Sequence, residues 1–350
     1  MRTFYVNGRA IGDDSRPFII AEMSGNHNQS LERALQIVDA AAATGVDALK
    51  LQTYTPDTMT LDLQEGSFYI EDETSLWKGN SLYELYKQAY TPWEWHLPIM
   101  ERCRQHGLLC FSTPFDETAV DFLETLDVPL YKIASFENSD LPLIQKVAAT
   151  GKPIILSTGM ATVAELDEAV RTARAAGCPD IVLLKCTSTY PASPENSNIV
   201  TIPHMRKLFG CQVGLSDHTL GLGVAVASVT LGATVIEKHF TLSRAEGGVD
   251  SVFSMEAEEM RLLVTETERA WQALGQVQYG PQQAELKSMK FRRSLYITRD
   301  LEAGEALSSD SMRAIRPGYG LSPKYYSILL GKRISKHAPK GTPLSWELFE

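Results

Sequence analysis

His218 and His239 close two similar segments, GLSDHT (214–219) and IEKHF (236–240), each a short apolar run ending in a polar cluster. Two imidazoles on neighbouring strands can hold a divalent metal ion. So few protein ligands leave positions open for a substrate oxygen, as a Lewis-acid site requires. The spacing leaves Mn2+, Fe2+, Co2+ and Zn2+ all open. Residues two apart on a strand share a face. Ser216 therefore joins His218, and Glu237 joins His239. Asp217 and Lys238 turn to the other side, where Lys238 serves structure and Asp217 can orient its neighbours. A second group is cationic and hydroxylic: Lys50, Thr113, Lys132, Ser135, Ser157 and Ser216. Ammonium and hydroxyl donors converging on one mouth make an anion site suited to a phosphate or phosphate-carboxylate ligand. Glu22 adds a carboxylate that can act as an acid or base, or position a water.

These residues share one position in a rhythm. Strand-like runs occupy 18–23, 47–54, 108–115, 131–136, 153–159, 181–190, 212–219 and 235–242, with helix-like stretches between them. The stretch 30–45 has apolar residues at helical spacing between Ser30 and Gly45, and 162–177 opens with Thr162 and Glu165 at capping-box spacing. Alternation of this kind predicts a parallel sheet with helical crossovers, and eight units point to a (β/α)8 TIM barrel. A doubly wound open sheet is the competing arrangement. A barrel places its site at the C-terminal strand ends. There the chain carries Glu22, Asn26 and His27; Lys50 and Gln52; Ser112 and Thr113; Lys132 and Ser135; Ser157 and Thr158; Ser188 and Tyr190; Ser216 and His218; Glu237 and His239. Barrel interiors are normally filled by branched apolar residues, so packing alone does not account for this set.

An Asn7-Gly8 hairpin leads into this domain, and an aromatic insert, 60–95, reads as core or lid. The expected domains are 1–275 for the barrel with its hairpin, 276–290 as a linker, and 291–350 as a small β-rich unit. A unit that small is expected to lean on another surface.

The chain has 350 residues, is 44% hydrophobic and 22% charged, and carries a net charge of −10 without a long basic run. That composition excludes nucleic acid and anionic membrane as partners. The five cysteines are scattered without a C-x-x-C pair and read as reduced core thiols. No apolar run suits a signal core or a bilayer span, so a cytoplasmic location is expected.

The motifs AEMSGNHNQS (21–30), LKLQTYTPD (49–57), FSTPF (111–115), YKIASFE (131–137), LSTGM (156–160), KCTSTYP (185–191), GLSDHT and IEKHF resemble the sialic acid synthase family. The tail, with IRPGYGL (315–321), resembles its C-terminal antifreeze-like (SAF) domain. SLYELYKQAYTPWEWH (81–96) and KCTSTYP are most similar to the branch that makes pseudaminic acid, and Ser188 stands where N-acetylneuraminate synthases carry Asn. The resemblance implies condensation of phosphoenolpyruvate with open-chain 2,4-diacetamido-2,4,6-trideoxy-L-altrose, giving pseudaminic acid and phosphate. Legionaminic and N-acetylneuraminic acid synthesis are the rivals with the same chemistry. A non-catalytic carbohydrate- or ice-binding protein is the rival of another class.

The same resemblance implies a metal at His218 and His239, usually Mn2+, with Mg2+ or Co2+ as alternatives. It implies phosphoenolpyruvate contacts at Lys50, Thr113, Lys132, Ser135, Ser157, Ser188, Tyr190 and Ser216, and a water- or proton-handling Glu22. Gln52, Glu237 and Asp250 match sugar-side or supporting positions, and Arg316 matches an arginine that contacts the sugar's N-acetyl group. The implied assembly is a domain-swapped homodimer.

Overall fold

A hairpin of β1 (Phe4–Val6) and β2 (Arg9–Ile11) opens the chain. Its turn residues Asn7 and Gly8 have φ of 45° and 83°, the left-handed pair a tight hairpin requires. Eight parallel strands follow: β3 (Phe18–Glu22), β4 (Ala48–Thr53), β5 (Leu109–Pro114), β6 (Tyr131–Ile133), β7 (Ile154–Ser157), β8 (Ile181–Cys186), β9 (Gln212–Ser216) and β10 (Val235–His239). They form a closed barrel in which β10 pairs with β3, which excludes the open sheet. The computed structural model describes residues 1–73 and 75–349. The chain divides into two compact units, Met1–Gly275 and Gln276–Glu350.

Strand alternation builds the barrel in layers. Phe18 and Ile20, Ala48, Phe111, Leu130, Ile155, Val182 and Leu184, and Val235 fill its interior, and Phe4, Val6 and Ile11 of the hairpin join that cluster. The alternate residues, among them Ile19, Leu49, Leu51, Ile133, Leu183, Val213 and Ile236, pack outward against the helices. Each such side chain contributes about 1.5–3 kcal/mol of burial. The inward face then changes character toward the C-terminal end. Phe18 and Ile20 give way to Glu22, Ala48 to Lys50 and Gln52, and Val235 to Glu237 and His239.

The helices obey local signals. Ser30 Oγ caps Leu31–Thr44 by accepting from Arg33 N, and Gly45 ends it at φ 87°. Thr162 and Glu165 form the expected capping box on Val163–Ala175. The insert folds into Leu82–Ala89 and the start of Trp93–Gln105. No helix among the described residues is long and apolar enough to cross a membrane.

Two buried histidines make this unit acid-sensitive. His96 Nδ1 lies 3.3 Å from the Pro92 carbonyl, which can only accept, so Nε2 accepts from Thr53 Oγ1 at 2.7 Å. Burial lowers His96 to about 4, and His27 likewise to about 4. An unfolded imidazole titrates near 6.5. The stability each neutral ring contributes is therefore complete above about pH 6.5 and is lost as pH falls toward 4, by about 3 kcal/mol per ring. Urea unfolding at pH 7, 5.5 and 4.5 is expected to show this fall, and His96→Gln to show a smaller one. An equal fall in the variant would remove His96 from the account.

The second unit pairs β11 (Ser294–Ile297) with β12 (Met312–Ile315) antiparallel over its own core of Leu295, Ile297, Leu301, Met312 and Leu344. Residues 276–290, expected as a linker, group with this unit and run into helical turns over Gln283–Phe291. Val277, Tyr279, Phe291 and Tyr319 are exposed there. Leu286, Met289 and Tyr319 share a shallow cleft with Lys287 and Lys290.

Candidate active site

The barrel register sets the polar strand ends level. Glu22 pairs with His239 on one side and Lys50 on the other, Glu237 pairs with Ser216, and Gln52 with Thr113. Lys50 Nζ contacts Glu22 Oε2, donates to Thr113 Oγ1 at 3.1 Å and lies 3.9 Å from Glu237 Oε1. Lys132 Nζ also lies 3.9 Å from that oxygen and donates to Ser157 Oγ at 2.7 Å. Gln52 Nε2 donates to Glu22 Oε1 at 3.1 Å, and Ser216 Oγ to Glu237 Oε1 at 3.0 Å.

Burial and charge work against each other in this cluster. Burial raises Glu22 to about 7, although Lys50 pulls it down. Burial also opposes charge on Glu237, but Lys132 and Lys50 hold its pKa below the usual carboxylate value. Lys132 is lowered by burial, with Glu237 resisting. Burial opposes charge on Lys50 too, yet Glu22 and Glu237 keep it above its ordinary value. An incoming anion meets two ammonium groups already desolvated by the fold, so it gains attraction without that reorganisation cost.

The imidazoles of His218 and His239 stand beside this cluster with ring centroids 5.3 Å apart. His218 Nδ1 lies 3.0 Å from the Thr187 carbonyl, which can only accept, so Nδ1 carries a hydrogen and Nε2 is the nitrogen left for a ligand. Burial opposes charge on His218, but Cys186 and Thr187 raise its pKa, so binding a cation there would release a proton. Burial and the nearby cations hold His239 well below the imidazole value, hence neutral. Its Nδ1 is buried without a hydrogen-bond partner. Among the described residues no group of three His, Cys, Asp or Glu side chains is arranged to hold a metal. The donors on offer are thus two imidazoles, with further ligands to come from substrate or water. Alternation holds on the far side: Lys238 Nζ donates to Asp217 Oδ2 at 2.9 Å and to the Thr219 and Gly221 carbonyls.

A cavity of about 300 Å3 opens over both groups. Lys50, Gln52, Lys132, Ser135, Ser157, Tyr190, Ser216, His218, Glu237, His239 and Asp250 line it. Glu22 and Thr113 are fully buried and contact Lys50. Ser188 is half-buried with its Oγ 3.7 Å from Cys186 Sγ, outside the cavity lining. A Cβ on Gly159 would fall 2.1 Å from Ser188 Oγ and 2.6 Å from Ser135 Oγ, so that position must stay small. Arg316 is exposed in the second unit.

Other strand-end residues go elsewhere. Ser112 points outward to Thr53, 2.6 Å away. Asn26 Nδ2 donates to the Phe240 carbonyl and Ser254 Oγ, both at 2.9 Å. His27 lies edge-on to Trp95.

Three lining residues escape a reading by strand ends. Cys186 continues the inward series Val182, Leu184, and that parity could have exposed it. It is free and buried like the other cysteines, but it faces the cavity. Burial pushes its thiol up, and His218, Ser135 and Lys132 more than offset this, bringing it to about 7. Glu137 lines the cavity from the loop after β6, and burial raises it to about 7. Ser24 follows β3 in a turn. The lining also has apolar members, and the insert supplies Ile70, Trp77, Leu82, Leu85 and Tyr86 to it.

Comparison with known proteins adds to this geometry. Residues 37–279 match the NeuB family, and residues 292–350 match the SAF domain. The pseudaminic acid synthase of Campylobacter jejuni subsp. jejuni is 44% identical over 96% of this chain and 98% of its own. That of Helicobacter pylori is 44% identical over 95% and 98%. The crystal structure of an N-acetylneuraminic acid (sialic acid) synthetase from Leptospira borgpetersenii, in complex with citrate, is similar with a TM-score of 0.74 and 31% identity. It covers 83% of this chain and 96% of that one.

Proposed function

The chain belongs to the NeuB family, and from that premise we propose that it condenses phosphoenolpyruvate with open-chain 2,4-diacetamido-2,4,6-trideoxy-L-altrose and water, giving pseudaminic acid and phosphate. The observation that carries the reading is the mixed lining of one cavity. Buried ammonium and hydroxyl groups, with two imidazoles, form one part of it, and apolar side chains of the insert form another. The first set suits phosphoenolpyruvate. The second suits a sugar that ends in a methyl group, where N-acetylmannosamine would present a hydroxyl.

The chain's residues divide the work. Lys50, Lys132, Ser135, Ser157 and Ser216 hold the phosphate and carboxylate and turn the methylene carbon toward the sugar aldehyde. A carbon–carbon bond forms between them, and the aldehyde oxygen takes up a proton. Water adds to the former enol carbon and gives up one proton, and the new hydroxyl loses the other proton as the carbon–oxygen bond to phosphate breaks, leaving the keto group and inorganic phosphate. Glu22, braced by Lys50 and Gln52, sits near 7 behind the cavity lining and can take up the proton of that water by way of Lys50, which lines the cavity and contacts Glu22 Oε2. Glu237 keeps Ser216 and both lysines in place, and Asp250 faces the sugar. The donor set of His218 and His239 fits a divalent ion with open positions, Mn2+ first among them. When bound, that ion polarises the sugar's aldehyde oxygen.

The exposed Arg316 and the apolar side chains around its unit suit a homodimer in which this unit covers the partner's barrel. The reaction's reactants suit the cytoplasm.

Incubation with phosphoenolpyruvate, Mn2+ and each candidate sugar tests the reading through phosphate release. Turnover is expected with the diacetamido-trideoxy-altrose. Turnover with N-acetylmannosamine alone would reject the pseudaminic assignment, and turnover with no sugar would reject the enzyme.

A further inference from the structure

Ser24 occupies a place where the backbone favours glycine. Its φ is 48°, in the left-handed region that an ordinary side chain adopts only at a cost. A glycine is next in line, but it answers a different demand. A Cβ on Gly25 would lie 2.9 Å from Ala89 Cα, so that residue is small for packing. The chain therefore keeps a side chain at the strained position, and something in the fold must compensate.

That side chain is buried, lines the cavity, and donates its hydroxyl hydrogen to Asp250 Oδ2, 226 positions away. The same oxygen lies 3.6 Å from His239 Nδ1. The backbone around Asp250 is anchored by other groups. Trp77 Nε1 donates to the Val249 carbonyl at 3.0 Å, Asn28 Nδ2 to Gly247 O at 3.2 Å, and Ser254 Oγ to Asp250 O at 2.6 Å. None of these touches the carboxylate. Among the described residues, Ser24 is the one side chain whose hydrogen bond fixes which way that carboxylate points.

We propose that Ser24 is a positioning residue for the acceptor sugar. Its hydroxyl holds the Asp250 carboxylate aimed into the sugar half of the cavity, where the free oxygen lone pairs accept from a hydroxyl or acetamido N–H of an open-chain amino sugar. The inference rests on the synthase reading and deepens it. An aimed carboxylate binds such a donor without first losing rotamer freedom, so the effect appears in acceptor affinity and not in phosphoenolpyruvate binding.

Glycine is the informative substitution, because it removes the hydroxyl and relieves the backbone together. Ser24→Gly is expected to melt at or above the parent's temperature while its KM for the acceptor rises on the order of tenfold. Its KM for phosphoenolpyruvate should stay at the parent value. Ser24→Ala should show the same acceptor KM with a lower melting temperature. In an Asp250→Asn background, Ser24→Gly should move acceptor KM no further, since the pair acts as one unit. A Ser24→Gly enzyme with the parent's acceptor KM, or one whose two KM values rise together, overturns the proposal. A parent that turns over none of the sugars overturns the synthase reading and this inference with it. A parent that turns over normally beside an unmoved variant overturns the Ser24 inference alone.

Discussion

Removing divalent metal, or replacing His239 with alanine, is expected to lower turnover by about a thousandfold, the scale of losing the main group that stabilises developing charge. Mn2+ should restore the chelated parent and leave the variant inactive. His239 is suited to the role because burial and neighbouring cations keep it neutral and its Nδ1 has no hydrogen-bond partner. A buried polar atom left unpaired is costly unless a ligand completes it. His218 is oriented by Thr187 with its other nitrogen free, and His218→Ala should behave the same way. Stability gives a readout independent of turnover. A ligand that binds only the folded state raises the melting temperature with its concentration. Mn2+ should do so for the parent and not for either variant. Full activity after complete metal removal would sink the metal reading of the pair.

Lys50→Met is expected to cost about a thousandfold in turnover at low phosphoenolpyruvate, mostly as a higher KM for that substrate. The variant keeps the aliphatic stem and loses the ammonium that contacts Glu22 and faces Glu237. Deleting one partner of a buried ion pair commonly costs about 3–5 kcal/mol, because the other charge is left uncompensated. Here the loss should be smaller, since Glu22 already sits near 7 and can take a proton in place of the missing cation. The double variant Lys50→Met/Glu22→Gln should therefore regain stability and remain inactive. Urea unfolding and phosphate release separate the two effects. A Lys50→Met enzyme with an unchanged KM for phosphoenolpyruvate would place the anion site elsewhere.

Much of this site is written in local sequence. Alternation along a strand is a property of the backbone, so the faces of Ser216, Glu237 and Lys238 could be assigned before any tertiary contact was known. The structure agrees: Ser216 and Glu237 line the cavity, and Lys238 is enclosed by Asp217, Thr219 and Gly221. Helix caps at Ser30 and Thr162 were legible for the same reason, because a cap is made within a few residues. The rhythm of eight strands and the shift from apolar to polar along each inward face were legible too.

A position after a strand end does not by itself separate a turn residue from a substrate contact, and it leaves Asn26 and His27 open to both readings. Asn26 and His27 lie in a turn after β3, where alternation no longer applies, and both are buried among neighbours away from the cavity. Ser112 is on a strand, but its parity is outward; the ends alone concealed that.

What the sequence by itself determined is the set of inward-facing chemical groups, because periodicity and composition are local. What only the tertiary structure decided is which distant groups meet. Closure of β10 against β3 sets His239 beside Glu22, folding of the insert supplies Trp77 and Tyr86 to the cavity lining, and a loop after β10 brings Asp250 back to Ser24. Loops have no period from which to read a partner, and a contact across 226 positions depends on the whole barrel closing first.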